Sequence, residues 1–191
     1  ILAAFVNATS NYISAQVMIG NPEKSLKAWE QVKGSVALNI LNRNQFLVKC
    51  YNLSHTYFML GNYREALKWL NRILEFREKN RLDVQAIARI YGLLVHYELG
   101  NYDMLPYTVK SSKRFLIKHN YFYEFEKIMM SFFEKKIPAA NNHQEKIEAF
   151  RQLKTQLQAL LKNNQKIRAL EHFDYVSWIE SKIQNRSFAE V

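Results

Sequence analysis

A Gly-Asn step occurs three times in this chain, at Gly20-Asn21, Gly61-Asn62 and Gly100-Asn101, with spacings of 41 and 39 residues. Each step closes one segment of apolar periodicity and opens another. A unit of this length, repeated in this way, is the pattern of stacked helical hairpins, because one hairpin cannot bury its own apolar faces and must cover them with neighbours. Five Gly and three Pro in 191 residues are too few to punctuate a many-stranded sheet but enough to end several long helices. The expectation is an all-α chain of about nine helices and no strands, forming a single repeat domain over 1–191.

The central unit shows the logic most clearly. Phe46, Leu47, Cys50, Leu53, Tyr57 and Leu60 recur at three- and four-residue steps on one helix face. Gly61 supplies the left-handed conformation that ends that helix, and Asn62 with Glu65 three residues later reads as a capping box for the next. Tyr63, Ala66, Leu67, Leu70, Ile73 and Leu74 form the second apolar stripe. The first unit repeats this, with a helix through Phe5, Tyr12, Ile13 and Ile19, then Asn21-Pro22 as cap and first helical residue. In the third unit Asp83 reads as a cap, and Pro106 predicts a kink or a delayed start for the helix after Gly100. The hairpins are expected near 1–34, 43–80, 83–118 and 121–162, followed by a capping helix near 166–184. The chain opens on Ile1 within a helical pattern, which reads as the C-terminal part of a longer protein with earlier repeats before it.

Leu53, Tyr57, Gly61, Tyr63, Ala66, Leu70 and Ile73 sit at the spacings of a tetratricopeptide repeat, which this unit resembles. Ser25 occupies the same small-residue position in the first unit and Leu105 in the third, while Cys50 stands where that repeat has an aromatic residue. With the closing segment Phe173–Ile183, the chain is similar to a group of tetratricopeptide-like proteins of Bacteroidota. The resemblance implies a right-handed α-solenoid of antiparallel hairpins whose first helices line a concave groove for a peptide or helix of another protein. Transferring that register gives groove candidates Asn7, Asn11 and Ser14, then Tyr51, Asn52 and His55, then Tyr91 and Leu94. Asn amides both donate and accept, so they suit a peptide backbone, and Tyr adds a flat anchor with a polar tip.

Other chemistry has little footing. The chain has no Gly-rich phosphate loop, no His-Glu-x-x-His, no nucleophile elbow and no paired Cys ligands. Neither catalysis nor a cofactor or metal is expected. His55 and His96 without a nearby thiolate or carboxylate make a poor metal site, and Cys50 lies on an apolar stripe where burial keeps a thiol inert. One cysteine cannot form an internal disulfide, which points to a reducing, cytoplasmic setting. The net charge of +10 favours acidic partners. Nucleic acid is therefore the second reading, centred on Lys110, Lys113, Arg114, Lys118 and His119. The aromatic run Tyr121, Phe122, Tyr123, Phe125, Phe132 and Phe133 reads as packing between helices rather than as a base-stacking platform.

Overall fold

A computed structural model describes residues 2–34, 42–76, 81–163 and 167–191. All regular structure among them is helical. The chain forms two compact units, residues 1–88 and 89–191.

In the first unit, α1 (Leu2–Met18) folds back on α2 (Pro22–Val32), and α3 (Arg43–Met59) on α4 (Tyr63–Leu74). α3 packs against both helices of the preceding hairpin. The Gly corners form as expected. Gly20 and Gly61 adopt φ of +75° and +71°, where a Cβ would be strained. At each corner the glycine N–H returns to the carbonyl three residues back and the asparagine N–H to that five back, as in Gly61 to Phe58 and Asn62 to Tyr57. These bonds satisfy carbonyls that the helix end would leave orphaned. Asn62 accepts from Glu65 N at 3.3 Å, but the return bond of a capping box is missing because Glu65 pairs with Lys68. A complete box forms instead at Asn42, with Gln45 as its reciprocal partner.

Ser25 and Ala66, the two small positions, are both fully buried, and each receives a hydroxyl from α3: Thr56 meets Ser25 at 2.7 Å, and Ser54 donates to the Ala66 carbonyl at 2.9 Å. A bulkier side chain at either place would push the helices apart. Ile13, Ala28, Trp29, Val32 and Leu53 form one apolar cluster, with Trp69 edge-on to Trp29 at 5.3 Å. The expected apolar stripe of α1 is only partly used: Ile13 is buried, while Phe5, Tyr12 and Ile19 are exposed.

α5 (Leu82–Glu98) begins in the first unit and ends in the second. Asp83 lies inside its first turn and pairs with Arg81 at 2.8 Å, rather than preceding the helix as its cap. The corner at Gly100 (φ +70°) repeats the hydrogen bonds of the other two. A 3-10 turn, Tyr102–Met104, then delays α6 to Leu105–Lys118, so that Pro106 falls in its first turn, where the missing N–H costs nothing. α7 (Glu124–Ser131) continues through a π-helical turn, Phe132–Lys136, into α8 (Ile137–Ala139). α9 (His143–Lys162) packs against α7 and α10 (Tyr175–Gln184). Taking α7 and α8 as one run, nine helices are present among the described residues. The expected capping helix is shorter than the pattern suggested: Arg168–Glu171 is a 3-10 turn, and α10 begins only at Tyr175 behind an Asp174 cap. The expected helix boundaries at 77–80 and at 166 lie outside the described residues.

The interior of the second unit is aromatic. Trp178 is surrounded by Tyr97, Phe133 and Phe150 at ring separations of 5.5–6.2 Å. Phe125, Phe132 and Phe133 from the aromatic run are buried, in keeping with packing between helices.

Candidate functional site

The proposed groove residues do not form an open wall. In the first unit they join α1 to α3. The Gln45 amide donates to Asn7 Oδ1 at 2.7 Å, and the Asn52 amide donates to Ser14 Oγ. The carbonyl of Asn52 accepts from Thr56, whose hydroxyl also meets Ser25, so a polar chain runs from Ser14 through Asn52 and Thr56 to Ser25. Of this group, Asn7 and Asn11 are exposed and Ser14 is half-buried, whereas Tyr51, Asn52 and His55 are buried. Burial raises the Tyr51 phenol and holds His55 down to about 4, so its imidazole is neutral at pH 7. Amide chemistry suited to gripping a peptide is here used to register two helices. In the second unit Tyr91 and Leu94 have no exposed surface, and Tyr91 lies against Phe173 at 5.1 Å. Tyr51, Asn52, His55, Tyr91 and Leu94, expected as docking residues, are buried side chains in this structure.

Cys50 is buried and its thiol is pushed up to about 12, which keeps it protonated. Among the described residues, no three His, Cys, Asp or Glu side chains gather where they would hold a metal ion. His96 takes a hydrogen bond from the Asn101 amide at 3.4 Å, and burial lowers its affinity for a proton.

Cations of the second unit reach solvent on two surfaces of interest. One is the outer face of α6. Lys110, Arg114 and Lys118 are exposed there and share a face with Tyr107, 71% exposed, and Ile117, 54% exposed. The helix contains no Asp or Glu. Lys113 lies 6.0 Å from the Phe122 ring, and the His119 ring meets Phe115 at a tilt, 4.4 Å between centroids. This basic run keeps its charge outward, while its His end is tied down.

The other surface is a cleft of about 120 Å³ where α9 begins and α10 ends. His143 and Lys146 reach it from α9, Lys182 and Arg186 from the end of α10, and Tyr97 and Phe150 supply aromatic wall. Glu98, whose side chain is 9% exposed, accepts from Trp178 Nε1 and from Lys182 Nζ, both at 2.6 Å. Sequence reasoning did not find this cleft because its halves are about forty residues apart. The only available sign was the i, i+4 pairing of Lys182 with Arg186 at a helix end. Asp174 caps α10 and accepts from Ser177 N at 2.9 Å.

The molecule is an all-α protein of helical hairpins with positively charged outer surfaces on its second unit. No family model, curated protein or solved structure matches the chain.

Proposed function

We propose that the chain is a non-enzymatic interaction module of the tetratricopeptide-like kind, its hairpins stacking as a right-handed α-solenoid that holds a segment of another protein. The observation that carries this reading is the threefold recurrence of one corner: left-handed glycine, following asparagine, and the same pair of returning backbone bonds. A repeated structural unit without converging reactive groups suits a binding scaffold better than a catalyst. Because Tyr51, Asn52, His55, Tyr91 and Leu94 of α3 and α5 are buried, the receiving surface is assigned to the outer face of α6. Its cations are free of intrahelical acids, and Tyr107 and Ile117 add apolar anchors between them. An acidic peptide carrying an aromatic or aliphatic side chain matches that mixture.

Nucleic acid is the second reading, favoured by the same acid-free row of cations. Fluorescence anisotropy with a labelled Asp/Glu-rich peptide and with single-stranded RNA, each across a salt series, separates the two. The peptide is expected to bind, and reversal of Lys110, Arg114 and Lys118 to Glu to weaken it about tenfold or more. Peptide binding indifferent to that reversal would remove α6 as the surface. RNA binding with a steep salt slope and no peptide binding would replace this reading with the other.

A further inference from the structure

The cleft between the start of α9 and the end of α10 supports a second assignment that does not depend on the α6 face. We propose that it receives a single oxyanion group, a phosphate or a carboxylate, carried by a ligand that reaches in from solvent.

The lining is one-sided in charge. His143, Lys146, Lys182 and Arg186 face a common space, and among the described residues no carboxylate lines it. The surrounding acids are engaged elsewhere. Glu98 is held by Trp178 and neutralises Lys182 alone. Glu145 accepts from Asn141 N and from the Asn142 amide, each at 2.7 Å, closing the start of α9. Glu148 pairs with Arg151 at 3.6 Å, and Glu190 is bonded to Ser187 N and Oγ at 2.8 and 2.7 Å. Lys154 and Glu180 pair with each other across α9 and α10. Among the described residues neither Lys146 nor Arg186 is in a direct ion pair, although the Arg186 charge helps to lower the Glu190 pKa, and Lys146 rests 5.3 Å from the Tyr102 ring.

The frame is also set in advance. Lys182 is only 16% exposed and is fixed by its bond to Glu98, so little side-chain freedom remains to be lost when a ligand binds. α10 ends at Asn185 in the left-handed conformation (φ 54°), and Arg186 N returns to the Ser181 carbonyl at 2.9 Å. That closure occupies the Ser181 carbonyl, which reduces but does not remove the opposition of the helix C-terminus to an anion. The twenty-residue α9 contributes the positive end of its dipole from the opposite wall. The volume equals about four water molecules, enough for a tetrahedral or planar oxyanion. The aromatic walls of Tyr97 and Phe150 exclude water and lower the local dielectric, which strengthens the attraction relative to open solvent.

The test is a ¹H–¹⁵N titration of the whole chain with inorganic phosphate, with acetate, and with chloride at matched ionic strength. Phosphate or acetate is expected to give saturable shifts at residues 143–147 and 181–186 that chloride does not reproduce. Whichever saturates at the lower concentration identifies the source, a phosphorylated ligand or a carboxylate. The double variant Lys146→Ala with Arg186→Ala should weaken binding about tenfold, as should Arg186→Gln alone to a lesser degree; Arg186 is exposed, so that change leaves the fold intact. Lys110→Ala with Arg114→Ala on α6 should leave this titration unchanged, although it weakens peptide binding, so the two assignments fail separately. Shifts that never saturate, that chloride matches, or that survive both cleft variants would overturn the proposal.

Discussion

The two units make their interiors from different material. Among the described residues, Ser25, Lys49, Asn52, Ser54, His55, Thr56 and Gln85 are buried polar or charged side chains of the first unit, whereas the second buries only Ser112 and Ser181. The second unit instead groups Tyr97, Phe133, Phe150 and Trp178 around one point, and Phe125, Tyr175 and Phe173 around another. Polar seams contribute modest net stability but penalise every misregistered pairing, since a shifted helix leaves buried donors unsatisfied. Aromatic clusters contribute area and tolerate more variation in contact. The same Gly corner therefore serves one interior built for register and another built for burial. In the first unit even the buried cation follows that pattern: Lys49 lies 5.2 Å from both the Trp29 and Phe46 rings, and burial lowers its proton affinity.

The strongest test of this contrast is Trp178→Ala. It removes a fully buried ring from the centre of the aromatic cluster and deprives Glu98 of one of its two partners. A loss of about 3–5 kcal/mol is expected in urea unfolding, with hydrogen-exchange protection falling in α9 and α10. A loss below about 1 kcal/mol would mean that the cluster is not the second unit's main support.

Next in size is the response of the first unit to acid. His55 is held neutral with its pKa near 4, below the ordinary 6.5, so the unfolded chain binds the extra proton first. Stability attributable to His55 is intact above pH 6.5, declines as pH falls, and reaches its full loss near pH 4, at about 1.4 kcal/mol per pH unit. Comparing wild type with His55→Asn between pH 7 and 4 isolates this contribution. Equal slopes for both would show that the imidazole is not sealed.

A smaller effect is expected at the polar seam. Asn52→Ala should cost about 1–2 kcal/mol, and a double-mutant cycle with Ser14→Ala should return a coupling of about 0.5–1.5 kcal/mol. A groove role for Asn52 would instead leave stability unchanged.

The smallest effect asks where the units should agree. An added Cβ meets nothing within 4 Å at either Gly61 or Gly100, so the cost of alanine is purely conformational. Gly61→Ala and Gly100→Ala should each lose about 1–2 kcal/mol. Unequal losses would mean that the corners are not equivalent parts.

The helices, their corners and most of their inward faces were legible in the chain alone, because periodicity, a left-handed glycine and a following cap are local matters. Pro106 predicted the delayed start of α6 for the same reason. Asp83 and the single long final helix were misplaced, since competing local bonds, to Arg81 and within the 3-10 turn, decide such ends. The burial of the candidate groove residues was not legible in the same way. What packs against Asn52 and Tyr91 depends on residues up to eighty positions away.

By itself, then, the order of amino acids determined an all-α chain of hairpins turned at Gly20, Gly61 and Gly100, because each turn needs only neighbouring backbone and a missing Cβ. Tertiary structure alone decided which polar side chains are spent inside and which cations meet in one cleft. Those outcomes arise from groups distant along the chain competing for the same space and the same hydrogen bonds, and no local pattern records who wins.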